Sequence, residues 1–438
     1  MHYNPSPLAM ERLMQYIWQH RLWPVADMAT VDGERVSVID PGRMNTDSGP
    51  DFFNAKLTIG GQMWAGDVEI HVRASDWYRH NHQGDKAYDS VVLHVVGKDD
   101  GRVTRSDGRV IPQLRMNCAP DFHEHYRVLV AGAATDLPCH GEIASLDPIH
   151  IHSWLDSLAY ERLYNKTGRI EKYLEHFSGD WESVCYVTLA RALGFGTNSE
   201  PFERLALSVP LKVLGKHSDS QLSLESLLFG QAGFLDNVAE SDPYITLLKR
   251  EYAFLSHKFS LPKPGRLGWK MARMRPANFP HRRIAFLALM AFGGFRLMSR
   301  ICELRKVEDV ARLFNAELIG YWSTHYTFNS PLDTPQAVAL GRNAVDVLTI
   351  NTVIPLLHAY GTATGDNSMC DTAIGMLHRL RPESNSVVTL FARHGLKCDD
   401  AFTSQALIQL RREYCEPRKC LYCRIGHKML SKRVKSSR

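Results

Sequence analysis

The sequence predicts an α+β protein. An N-terminal α/β domain with a mixed sheet is expected over residues 1–145, a mainly α-helical domain over 146–400, and a cysteine-rich, basic segment over 401–438. Three observations carry that division. Asp67-Val68-Glu69-Ile70-His71-Val72 alternates with the period of two that marks a strand with one apolar face. From about His150 the apolar spacing lengthens to that of helices, as in HSWLDSLAYERLYNKTGRIEKYLEHF. The chain then ends on YCEPRKCLYCRIGHK, with its thiols spaced C-x4-C-x2-C.

Leu8 to His20 has helical spacing with Glu11 inside it, and Glu34 to Ile39 alternates as a first strand. Gly49-Pro50-Asp51 is a turn that opens a second strand bearing Lys56. The pair Gly60-Gly61 then reverses the chain into a third strand, QMWAGDVEIHV, making a hairpin. Ser75 starts a short helical or turn segment, SVVLHVVG (Ser90 to Gly97) is a buried strand, and Ser106-Asp107-Gly108 turns a further hairpin. Helices follow beyond His150. Leu261 to Arg283 is the main irregular segment, and no fixed-period repeat interrupts the pattern.

On the third strand Glu69 and His71 point to one side, away from Val68, Ile70 and Val72. Asp51, at the head of the adjacent strand, is placed to supply a second carboxylate, and two carboxylates together hold a hard cation that neither holds alone. The plain alternative makes Asp51 a turn residue and Glu69 a solvent-facing one. His80, His82, Asp85, Tyr88 and His94 follow closely, a density that would also suit a transition metal. His80 and His82 sit in the polar run RHNHQGD, whose plain alternative is a solvated loop, whereas His94 interrupts an apolar strand. It is expected to be a hydrogen-bonded core histidine or a support for another side chain rather than a ligand. Tyr88 and Asp89 read as turn residues.

With Pro-Asp at residues 50–51 and Glu-x-His at 69–71, this part of the chain resembles the PD-(D/E)xK nuclease superfamily, whose core runs helix, three strands, helix, strand. The resemblance implies that Asp51 and Glu69 bind Mg²⁺ or Mn²⁺, that a positive side chain orients water, and that the substrate is DNA or RNA. His71 stands where that family has lysine, so His71 with Lys56 or Arg73 would take its part and Glu11 would assist from the first helix.

At the C-terminus, Cys415, Cys420 and Cys423 can converge on one metal, with His427, Cys398 or Cys139 as the fourth ligand and zinc or a [4Fe–4S] cluster as the occupant. The alternative is three reduced thiols after a helix. The arrangement is similar to that of PD-(D/E)xK nucleases carrying an iron–sulfur staple, more loosely than the strand motif. Over nearly its whole length the chain resembles a bacterial family catalogued only as a domain of unknown function. That resemblance is carried by NTDSGPDFFNAKL, WAGDVEIHVRASDWYRHNH, SVVLHVV, RPANFPHRRIA and YCEPRKCLYCRIG.

Hydrophobic content of 44% and charged content of 23% over 438 residues describe a globular chain too long for one core. Nine cysteines, most of them isolated, exclude a disulfide framework and point to a reducing compartment, so a cytoplasmic location is expected. The first residues carry no secretory pattern, and IAFLALMAFGGF is too short for a membrane span. Nucleic acid is the expected partner, although a net charge of +5 does not require it. The basic residues from Arg411 to Arg438 are one candidate surface, with a solvated tail as the alternative. Another is the run Lys263, Arg266, Lys270, Arg273, Arg275, Arg282 and Arg283 among Trp269, Phe279 and His281, whose alternative is a loop anchored by its aromatics. Asn198 and Asn278 are assigned to turns. Two rival functions stand beside the nuclease: a non-catalytic nucleic-acid or protein-binding module, and a hydrolase of small substrates built on His71, His80, His82 and His94.

Overall fold

The computed structural model describes residues 7–436 apart from 23–27, 46, 117–125, 127–136, 141–142, 237, 239–241, 263–264, 273, 275–277, 329 and 337. Two compact units divide the chain. The first takes residues 1–154 with 390–396 and 410–438, and the second takes 155–389 with 397–409. The cysteine-bearing C-terminal segment is therefore part of the unit that contains the sheet.

In the first unit, helix α1 (Pro7–Gln19) precedes strands β1 (Val36–Asp40), β2 (Arg43–Met44), β3 (Phe52–Ile59) and β4 (Gln62–Arg73). A short helix α2 (Asp76–Arg79) leads to β5 (Val91–Lys98) and β6 (Gln113–Arg115). The strand order is β1-β3-β4-β5-β6, with β2 also on β3. Pairing is antiparallel from β1 to β4 and parallel from β4 through β6, so the sheet is mixed. Gly60 and Gly61, both at positive φ, make the tight β3–β4 turn with Ile59 opposite Gln62.

One irregularity in this hairpin decides what faces what. From Ile59 to Ala55 the register places Ala55 opposite Gly66, but Phe52 then lies opposite Val68. The extra residue is accommodated at Asn54, which adopts φ +57° and donates its amide to Asp67 Oδ1 at 3.0 Å. Continued by one residue, the shifted register sets Asp51 against Glu69. Without the bulge, Asp51 would pair with Ile70 and face the opposite side of the sheet.

Both faces of β4 are buried, because Val68 and Ile70 are fully enclosed on one side and Glu69 and His71 are enclosed on the other. Trp77, Tyr88, Val91, Val103 and Ile111 form a compact apolar cluster in this unit, and the Trp77 indole donates to the Thr104 carbonyl at 3.0 Å. The Ser106-Asp107-Gly108 turn is present, with Thr104 bridged to Val110 and Gly108 at φ +80°.

The second unit is mostly helical, in keeping with the lengthened apolar spacing. Asp180 caps the helix Trp181–Leu193 by accepting from the amides of Glu182 and Ser183. Arg342–Thr364 is one helical run with a π-turn at Thr349–Val353, just ahead of Pro355. That run is long and apolar enough to cross a membrane, which the sequence reading did not anticipate, and 61% of its apolar window is buried inside the protein as in a core helix. Within Leu261–Arg283, Lys263, Arg273 and Arg275 lie outside the described residues. The segment is anchored by its aromatic residues. The Trp269 indole donates to the Ala232 carbonyl at 2.9 Å and its ring packs on Phe202 and Phe234, while the Asn198 side chain brackets the backbone of Lys270. Arg282 and Arg283 belong to the helix Pro280–Ala291 and are buried over the rings of Tyr326 and Phe195 rather than lining an open channel.

Candidate functional site

The bulge and the alternation of β4 together bring two carboxylates side by side. The Asp51 amide donates to Glu69 Oε2 at 3.0 Å, and the Ile70 amide donates to Asp51 Oδ2 at 3.0 Å. From α1, Gln15 Nε2 donates to Asp51 Oδ1 at 2.8 Å, and Glu11 lies within electrostatic reach of Asp51, Asp76 and His82. Burial pushes all three carboxyls above their ordinary range. Asp51 rises to about 8, with Glu69 adding to the effect; Glu69 rises to about 8, with Glu11 adding; and Glu11 rises to about 7. Three acids concentrated out of water favour a cation among them.

The imidazoles meet the same carboxylates. His71 extends from β4, while His80 and His82 flank Asn81, whose left-handed φ of +62° turns the chain so that both neighbours face back toward the strand. His71 Nε2 is 3.1 Å from His80 Nδ1, and one ligating nitrogen from each of His71, His80 and His82 lies within 4.8 Å of the others. Glu69 Oε1 is 3.5 Å from His71 Nε2 and 3.4 Å from His82 Nε2. That His82 nitrogen is buried and makes no well-aligned hydrogen bond, its charged neighbour being Glu69 Oε1. His82 is held by stacking on Tyr88 at a 3.8 Å ring separation and by the edge of Trp77.

His94, paired in register with Glu69 on β5, places Nε2 2.9 Å from His71 Nδ1. This contact fixes the His71 ring and leaves Nε2 for the centre of the cluster, the expected supporting role. Burial lowers the basicity of all four rings, His71 to about 2 and His94 to about 3. Neutral imidazole is the form that ligates metal. His80 is exposed and so leaves one side of the cluster open to solvent.

The structure brings Asp51, Glu69, His71 and Glu11 into one neighbourhood. Lys56 is exposed opposite Ala65, and Arg73 is exposed and interacts with Asp100, so neither contacts Glu69. A cation that does act on the cluster is Arg79, 3.0 Å from Asp76 and felt by Glu11, His71 and His80. Sequence reasoning passed over it. Of the two readings of the run holding His80 and His82, the geometry favours the cluster over the solvated loop, because the left-handed Asn81 folds the run back toward β4. The signal was the density of histidines and carboxylates after His71. Tyr88 is likewise the platform under His82 rather than a plain turn residue.

Of the C-terminal candidates, Cys415, Cys420 and Cys423 are buried in the first unit. His427 shares a hydrogen bond between Nδ1 and the Tyr16 hydroxyl and packs on His20. Cys398 belongs to the second unit, where its thiol donates to the Asp400 carbonyl at 3.6 Å.

No curated protein and no solved structure matches the chain. The family model that matches is not that of a nuclease. It covers residues 11–386 and is described as Protein of unknown function (DUF2851), and the chain belongs to that family.

Proposed function

We propose that this protein is a metal-dependent hydrolase whose divalent transition metal is held by His71, His80 and His82. The observation that carries this reading is the convergence of one nitrogen from each of the three imidazoles within 4.8 Å, with Glu69 Oε1 3.5 Å from His71 Nε2 and 3.4 Å from His82 Nε2. Two imidazole nitrogens bound to one tetrahedral ion at ~2.0–2.1 Å stand roughly 3.3 Å apart, close to the His71–His80 separation of 3.1 Å. Bound there, the ion would acidify a water molecule on the open side at His80. Glu69, beside the ring nitrogens of His71 and His82, would take the proton of that water. Asp51 and Glu11 would hold the local negative charge that draws the cation in.

The test is metal content and hydrolysis together. Wild-type protein should bind one zinc or manganese ion per chain at the histidines and cleave an activated ester or phosphodiester. His71→Ala and His82→Ala should abolish both, and Glu69→Gln should keep the metal and lose at least tenfold in kcat. A chain that takes up no metal, or one whose hydrolysis survives Glu69→Gln unchanged, would end this reading.

The adjacency of Asp51 and Glu69 favours a second reading, a Mg²⁺- or Mn²⁺-dependent nuclease acting on DNA or RNA. In that case cleavage of a nucleic acid would require Asp51 and Glu69 but tolerate His80→Ala. Binding of nucleic acid without cleavage would leave the non-catalytic module.

A further inference from the structure

A second group of ligating side chains lies outside the histidine–carboxylate site and plays no part in the proposed hydrolysis. Cys415, Cys420 and Cys423 are each less than one tenth exposed. The chain winds tightly between them. Arg418, at φ +57°, donates its amide to the Cys415 carbonyl, Lys419 donates to Tyr414, and Cys423 donates to Cys420. The terminal helix Arg424–Ser436 then opens directly behind Cys423, and His427 donates its amide back to the Cys423 carbonyl at 2.8 Å. Gly426 is required there, because a Cβ on it would sit 2.2 Å from the Cys420 carbonyl oxygen.

The sulfurs are also provided with donors. The backbone amides of Ile425 and Gly426 are directed at the Cys423 sulfur. Arg424 lies over the Trp154 ring at 5.0 Å. Cys139, in the turn that ends at His140, lies within electrostatic reach of Cys415, as do Cys420 and Cys423. Three buried cysteines and the half-buried Cys139, from two distant stretches of sequence, thus share one neighbourhood in one unit.

Their spacing distinguishes between occupants. Four thiolates on one tetrahedral zinc at ~2.3 Å lie roughly 3.8 Å from one another. Among the described residues no three cysteine sulfurs lie within 4.8 Å of one another, although the histidine nitrogens do. The wider cradle suits a polynuclear centre, in which each sulfur binds its own iron.

We propose that Cys139, Cys415, Cys420 and Cys423 bind a [4Fe–4S] cluster that clamps the C-terminal segment into the first unit. Each thiol gives up its proton as its sulfur bonds one iron of a cluster built from iron and sulfide. His427 and Cys398 are not ligands.

The experiment uses the full chain purified without oxygen, with iron, acid-labile sulfide and zinc measured together with the visible absorption. About four iron and four sulfide per chain are expected, with an absorption that dithionite bleaches. Cys139→Ser and Cys420→Ser should each lose most of the iron and sulfide, whereas Cys398→Ser, His427→Ala and His71→Ala should retain them. Zinc without sulfide in the wild type, or no metal at these thiols, would overturn the proposal. So would full iron retention in Cys139→Ser. The wild-type analysis stands even where a serine variant fails to fold, and His71→Ala separates failure here from failure of the hydrolase reading.

Discussion

At the scale of single residues, the site depends on side chains that do not touch a reacting atom. Trp77 is fully buried, donates to the Thr104 carbonyl and sets the edge against which His82 rests. Trp77→Ala should therefore cost about 3–5 kcal/mol in urea unfolding and weaken metal binding at the same time. A loss below about 1 kcal/mol would show that the pocket does not lean on this ring. Glu225, in the second unit, provides a test of charge. Burial holds its carboxyl above the ordinary 4.5, even though Tyr244 and Gln221 donate to it. The folded chain thus keeps a proton that the unfolded chain releases, so this group's contribution falls as pH rises from 4.5 toward the folded value. Glu225→Gln should flatten the pH dependence of stability above pH 4.5, and an unchanged slope would contradict that assignment.

At the scale of elements, the β3–β4 hairpin shows how far the sequence could be read. Its strands and its turn were legible, because a period of two and the Gly60-Gly61 pair are local signals. The meeting of Asp51 with Glu69 was legible as a pairing of adjacent strands, but its cause was not, since a bulge at Asn54 is invisible to periodicity. His80 and His82 were legible as a candidate metal cluster from their density, but the left-handed Asn81 that folds their loop inward was not. Asn54→Gly should be tolerated, whereas Asn54→Val should cost about 1–2 kcal/mol and lower metal affinity by disturbing the register. Equal stability and affinity for the two variants would show that the bulge does not set the site. Gly66 is a second control point, as a Cβ there would meet Val92 at 2.4 Å and the Ser90 carbonyl at 2.7 Å. Gly66→Ala should destabilise β4 against β5 by about 1–3 kcal/mol in the same unfolding assay.

At the scale of the whole molecule, the chain order is not the order of the folded units. Helical spacing announced the second unit, but nothing local announces that residues 390–396 and 410–438 return to the first. Closure of that kind rests on long-range contacts such as Tyr16 with His427. Removing residues 410–438 should lower the melting transition of the first unit, followed by limited proteolysis, and leave the helical unit's transition in place. Uniform destabilisation of both would contradict the division.

The most direct test of the central claim is the stoichiometry and affinity of zinc or manganese measured calorimetrically on wild type, His80→Ala and His82→Ala, with the cysteine sites followed separately by sulfide analysis. One ion per chain lost in both variants is the predicted result. Binding that is absent from the wild type, or that is undiminished when both histidines are removed, would contradict a metal centre at His71, His80 and His82.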